Sequence, residues 1–335
     1  MSSFPDPLPP TPEQKREPAE SDEPNNAPTS DVFPQPDHSG MEPASFHTDY
    51  GAPQSYFERY AMQPIARTRF PNLLDLLLLG GMVLLGGLGA ASLTALALYF
   101  HLFGVTTPQQ ALDDIHYTLG SQAAWYVISF VGSLLLFRAV WHTGFFRGIE
   151  WQADAAIRLR RRLTTAVFVC IILAIVDAVL LPGPKEAPID QIFREPGAAW
   201  LLFAFGITLA PFFEEMAFRG FLLPALCTAF DWTVERIEHR PAPLPDTDGK
   251  TEWSMPAMIV ASLLTSVPFA LMHAEQTGYS LGPFLLLVCV SLVLCWIRLG
   301  TRSLAASTLV HACYNLLLFT FMFAGTGGFR HLDKM

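Results

Sequence analysis

Hydrophobic and polar positions fall into two regimes along this chain. Up to about residue 70 large apolar residues such as Phe4, Val32, Phe33, Phe46 and Tyr50 are scattered with neither a helical nor a strand period. From Leu73 onward, apolar residues run almost unbroken over 73–100, 121–140, 163–181, 198–222, 255–273, 281–297 and 303–324. A helix rises about 1.5 Å per residue, so roughly 20 apolar residues cross a hydrocarbon layer about 30 Å thick. Several of these runs are rich in Leu and Val and lack the polar stripe that a helix at the surface of a water-soluble core carries. They predict an all-α fold, a polytopic transmembrane bundle of about seven or eight helices. The eighth would arise if Pro211, Pro224 or Pro268 breaks a helix and adds a segment.

Composition separates the two regimes further. The first fifty residues hold eleven prolines, and their ten acids and two bases give a charge of −8. The whole chain carries −9, which leaves −1 for the remaining 285 residues. Such a segment buries too little apolar surface to offset the entropy of ordering, so 1–70 is expected to be a disordered, acidic, Pro-rich tail. Its run Pro7-Leu8-Pro9-Pro10-Thr11-Pro12 is either a polyproline ligand for an unidentified partner or part of a solvated extension. The chain as a whole is 51% hydrophobic and 15% charged, with a mean hydropathy of +0.33. No basic footprint of the size nucleic acid requires is present, and the first apolar run begins too late for a secretory signal. Cys170, Cys227, Cys289, Cys295 and Cys313 lie in or beside spans without a CxxC pair. They read as small apolar fillers rather than a disulfide framework or a thiolate zinc site.

Basic residues set an expected orientation. Arg59, Arg67 and Arg69 precede the first span; Arg138, Arg147, Arg158, Arg160, Arg161 and Arg162 crowd the link between the second and third; Arg298 and Arg302 lie between the last two. Even numbers of crossings separate these groups, so one arrangement places all of them, and the N-terminal tail, in the cytoplasm of a multi-pass cell-membrane protein. The Lys185–Glu195 loop then faces out.

Ionisable residues inside apolar spans are costly and point to function. The first cluster is Phe212-Phe213-Glu214-Glu215-Met216-Ala217-Phe218-Arg219. Adjacent helical residues point about 100° apart, so the two glutamates cannot share one role. Glu215 and Arg219, four apart with the acid first, suit a same-face ion pair. That leaves Glu214 free for chemistry, and a carboxyl in an apolar setting is a stronger base than one in water. The plainer reading, a Glu–Arg pair anchoring the helix near the headgroups, leaves Glu214 without a partner. The second cluster, Phe269 to His273, ends an apolar run; a lone histidine there is more often structural than catalytic. In the third, His311 and Asn315 share one helical face a turn apart. An imidazole and an amide converging in a membrane either stabilise a developing oxyanion or simply bond helices together.

Taken in order, Glu-Glu-xxx-Arg, Phe-xxx-His and His-xxx-Asn resemble the three motifs of the CAAX protease and bacteriocin-processing family (CPBP, or Abi), which includes the type II CAAX prenyl endopeptidases. Thr301-Arg302-Ser303-Leu304 resembles the family's lead-in to its final helix. The resemblance covers about 198–320. It divides the chain into the tail 1–70, the first two spans with a basic loop (71–162), a protease-like core (163–325) and a short tail (326–335).

The resemblance implies an intramembrane endopeptidase acting on a membrane-anchored protein or peptide, with prenylated CAAX-type substrates among those expected. It implies that Glu214 activates a water with help from His273, that His311 and Asn315 hold the oxyanion, and that Glu215, Arg219 and Phe269 organise the site. Family members are commonly described as metalloproteases, so Glu214, His273 and His311 are also candidate zinc ligands. Against zinc, no His-Glu-xxx-His is present and Asn315 is the better oxyanion donor, which leaves a metal-free water attack as the other mechanism.

Two other functions compete: a non-catalytic immunity or regulatory protein of the same fold, and a transporter or proton relay. The apparent confinement of buried polar residues to roughly the last 125 positions disfavours the transporter, which often shows internal repeats. A simple depth count puts Glu214 about four residues, or roughly 6 Å, from the cytoplasmic edge and His311 about 12 Å in from the same side. The same count leaves His273 near the outer end of its span, unless Pro268 breaks that helix or the span boundaries are misplaced.

Overall fold

The computed structural model describes residues 71–181, 198–239 and 253–328. The chain divides into two units, 1–63 and 64–335, and every described residue belongs to the second. The tail with its Pro7–Pro12 run, the arginines at 59, 67 and 69, and the Lys185–Glu195 loop lie outside the described residues.

The described residues are helical, with no strand among them. In chain order the elements are α1 (Leu73–Tyr99), a 3-10 turn (Leu102–Gly104), α2 (Pro108–Asp113), α3 (Ile115–Trp141), α4 (Phe145–Gly148) and α5 (Ala153–Arg158). There follow α6 (Arg160–Leu180), α7 (Ala198–Ile207), α8 (Leu209–Glu215), a π-helical segment (Met216–Leu222), α9 (Leu223–Ile237), α10 (Met255–Met272), α11 (Leu281–Thr301) and α12 (Leu304–Gly325). Among the described residues, seven helical stretches are long and apolar enough to cross a membrane: α1, α3, α6, the run Ala198–Ile237, α10, α11 and α12. The protein is an all-α polytopic bundle.

Local chemistry explains where these helices start and meet. At the head of α1 the Asn72 side chain accepts from the amides of Leu74 and Asp75, and the Asp75 carboxylate accepts from the Asn72 amide in return. The other oxygen of buried Asp75 accepts from the Trp141 indole at 2.9 Å, which ties the start of α1 to the end of α3. Midway along this antiparallel pair, Gly86 lies so close to Ser129 that a Cβ there would overlap the serine side chain. Small residues allow this approach, as is common between membrane helices. A cluster of Phe137, Trp141, Phe145, Phe213, Met216 and Phe221 joins α3 and α4 to α8 and the π segment. A second cluster, including Leu163, Cys170, Leu294, Ile297 and Val310, joins α6, α11 and α12.

The fourth span differs most from the expected boundaries. It continues to Ile237 rather than ending at 222, a stretch of 40 residues. The backbone breaks once, at Thr208 (φ −123°, ψ −79°), just ahead of Pro211 in the first turn of α8. Pro224 falls in the first turn of α9 and does not stop the helix, and α10 runs through Pro268. Where α9 and α10 face each other, the Asp231 carboxylate accepts from the Ser254 amide and hydroxyl, and the Ser254 oxygen in turn caps α10 at the Ala257 amide. Counting back from this lock, Glu214 lies 17 residues before Asp231 and His273 lies 19 residues after Ser254. At 1.5 Å per residue both reach about the same level, roughly 25–29 Å away. The depth mismatch expected for His273 therefore came from ending the fourth span too early, and no break at Pro268 is involved.

Arg298, taken from sequence as one of the basic residues flanking the spans, is 1% exposed and paired with Glu150 at 2.7 Å. Asp75 and Glu150 are also buried, so buried charge is not confined to the last 125 or so residues.

Candidate active site

Glu214 and Glu215 end α8, and the π segment that follows carries Arg219. A π turn inserts an extra residue into the helical ladder and frequently marks a functional site. Glu215 and Arg219 are completely buried and pair at 2.9 Å. The guanidinium also donates to the Ser291 hydroxyl at 2.6 Å and the Ser291 carbonyl at 3.2 Å on α11. Its carbon lies 4.5 Å from the centre of the Phe269 ring, which stacks a cation over an aromatic face. Arg219 thus touches three elements besides its own turn through Glu215, Ser291 and Phe269.

Glu215 accepts from His311 Nδ1 at 3.1 Å with the same oxygen that meets Arg219. A carboxylate paired with arginine can only accept, so Nδ1 carries the proton and Nε2 faces away from Glu215. His273 is fixed in the same sense: its Nδ1 lies 2.9 Å from the Phe269 carbonyl, another obligate acceptor. Both Nε2 atoms turn toward Glu214, His273 at 3.9 Å from Oε1 and His311 at 3.8 Å from Oε2. These separations are too long for direct hydrogen bonds and short enough for one water to touch either pair.

The groups face a cavity of about 370 Å³. Glu214, Phe269, His273, His311 and Asn315 all line it, among largely apolar neighbours such as Leu202, Leu286, Val290 and Leu318. Asn315 commits one amide N–H to the Gly206 carbonyl at 2.8 Å, beside the break at Thr208, and retains a second. Glu215 and Arg219 do not line the cavity; they stand behind His311 and Phe269.

Glu214, His273 and His311 offer ligand types that suit zinc, at separations somewhat wider than those within a closed tetrahedral set. Two ligands of one tetrahedral zinc lie about 3.4 Å apart, given bonds near 2.1 Å, and here each imidazole addresses a different carboxylate oxygen at 3.8–3.9 Å. Among the described residues no group of three or more His, Cys, Asp or Glu side chains is placed to hold a metal ion.

Several contributors escaped the sequence reading. Ser291 is one neutral residue in an apolar run. Leu119 and Gln122 of α3 line the cavity from outside the protease-like core. Glu150 is one of two acids in a basic loop, with Asp154 four residues on, and nothing in the sequence pattern set it apart.

A membrane-embedded carboxylate facing two imidazoles across an apolar cavity defines a class of polytopic proteins with a buried ionisable centre. Residues 196–317 match the family model described as type II CAAX prenyl endopeptidase Rce1-like. This match supports assigning the 196–317 part of the bundle to the CAAX protease (CPBP) family, a family of peptidases, and the seven apolar helical stretches make the chain a multi-pass membrane protein. Comparisons with curated proteins and with solved structures found no match.

Proposed function

We propose that the protein is an intramembrane endopeptidase in which Glu214 activates the attacking water. The observation that supports this most is the position of Glu214 between the Nε2 atoms of His273 and His311 on the cavity wall. The carboxylate takes a proton as the water oxygen bonds to the scissile carbonyl carbon, and His273 orients the water through its Nε2 lone pair. The carbonyl oxygen becomes an oxyanion that accepts from the free Asn315 N–H and from His311. For His311 to donate from Nε2, both of its ring nitrogens must carry protons. When the tetrahedral intermediate collapses, the C–N bond breaks and Glu214 returns its proton to the leaving amine.

The apolar lining suits a substrate that reaches the site from the bilayer: a membrane-anchored protein or peptide, with prenylated CAAX-type chains the first to test. In the orientation set by the basic loops, the enzyme sits in the cell membrane with its N-terminal tail in the cytoplasm.

The test is cleavage of a farnesylated CAAX-type reporter peptide by full-length protein in liposomes. Glu214→Gln is expected to abolish product while the yield of folded protein is unchanged. Full activity in that variant would refute the mechanism.

A further inference from the structure

Pro224 leaves a gap in the backbone of the catalytic turn. In the π segment the Leu223 amide donates to the Phe218 carbonyl, and by the same i to i−5 pattern residue 224 would donate to Arg219. Proline has no N–H, so the Arg219 carbonyl has no donor from that position. Buried carbonyls normally find one elsewhere. Here it is Arg298 on α11, whose Nε donates to the Arg219 carbonyl at 3.1 Å. Arg298 is itself buried and held by the Glu150 carboxylate at 2.7 Å, with a further bond to the Ile149 carbonyl.

Glu150 also acts through its backbone. It sits between α4 and α5 at φ 56°, a left-handed conformation that few non-glycine residues adopt. Its carbonyl accepts from the amide of Leu304, the first residue of α12, at 3.0 Å. Two residues on, the Gln152 carbonyl accepts from the hydroxyl of Ser303, the N-cap of the same helix. α12 carries His311 and Asn315, and the π segment follows Glu214 directly. One residue thus grips both elements that must meet across the cavity, from outside the segment matched by the family model.

We infer that Glu150, acting through Arg298 on the Arg219 carbonyl, is a positioning residue that holds the catalytic turn in register with α12. It touches neither the cavity nor Glu214, so its role lies in geometry rather than in chemistry. This inference rests on the hydrolase reading above.

Two variants of the full chain in liposomes test it, assayed with the same farnesylated reporter and normalised to folded protein. Glu150→Gln removes only the charge. The double variant Glu150→Leu/Arg298→Met replaces the buried pair with apolar groups of similar size, which avoids a stranded buried charge while removing the donor to the Arg219 carbonyl. Because displacements near 1 Å can cost about a hundredfold in rate, kcat is expected to fall about 10- to 100-fold in both variants, with KM within about twofold. Hydrogen exchange over 216–222 is expected to quicken in the double variant more than in the rest of the bundle, because the Arg219 carbonyl then lacks its donor. Unchanged kcat per folded molecule in Glu150→Gln, whatever its yield, overturns the inference, as does unchanged kcat in the double variant. If Glu214→Gln is inactive in the same assay, such a result removes the positioning role alone; an active Glu214→Gln removes the hydrolase reading with it.

Discussion

Replacing Arg219 with alanine deletes a completely buried cation and leaves Glu215, equally buried, facing His311. The guanidinium gives up its contact with the carboxylate, two hydrogen bonds to Ser291 and its stacking on Phe269. Breaking a buried pair by removing one partner costs about 3–5 kcal/mol, because the remaining charge is left uncompensated. The structure limits how far that charge can be rescued, since one Glu215 oxygen already lacks a hydrogen-bond partner. Its remaining escape is to take up a proton. For a glutamate of ordinary acidity this costs about 3.7 kcal/mol at pH 7 and about 1 kcal/mol at pH 5. The deficit of Arg219→Ala against wild type should therefore shrink by up to about 2.7 kcal/mol between pH 7 and pH 5, because the folded variant binds a proton that its unfolded state does not. Thermal unfolding in detergent micelles reads this as a midpoint roughly 10 °C below wild type at pH 7, with the gap narrowing at pH 5. A double variant, Glu215→Leu/Arg219→Met, should regain most of the stability and none of the activity, since His311 Nδ1 then lacks its acceptor. An unchanged midpoint for Arg219→Ala at pH 7 would refute the reasoning, and a gap equally wide at both pH values would refute the stranded-charge account of it.

Two further outcomes are expected. Prolonged treatment with a strong chelator, followed by metal analysis of the purified protein, should leave reporter cleavage unchanged, because the two imidazoles address different oxygens of Glu214. Loss of activity that added zinc restores would reverse that conclusion. Trp141→Phe removes the donor to one oxygen of buried Asp75 and should cost about 1–3 kcal/mol of stability. Neither residue lines the cavity, so cleavage per folded molecule should hold; a fall in kcat would show that the junction of α1 and α3 reaches the site.

The sequence by itself determined that this is a bundle of membrane-crossing helices, and it marked which ionisable side chains stand in them. Hydrocarbon imposes both facts locally: a span needs a run of apolar residues, and any charge within one is conspicuous. The spacing of four between Glu215 and Arg219, and again between His311 and Asn315, needed no tertiary information, because helical geometry alone places such residues on one face. The three motifs, and the family they resemble, were legible for the same reason.

Only the tertiary structure decided where the fourth span ends, and with it that His273 and Glu214 share a level. Periodicity does not reveal that Pro224 lies in the first turn of a continuing helix, nor that Asp231 locks to Ser254 across a loop. Ser291, Gly206 and Glu150 were likewise invisible, since each matters only through a partner about 72, 109 or 148 positions away. Arg298 shows the limit most clearly. A basic residue at the end of an apolar run looks the same in sequence whether it meets water or a buried carboxylate, and packing of the Phe145–Gln152 region under α11 and α12 makes it the second.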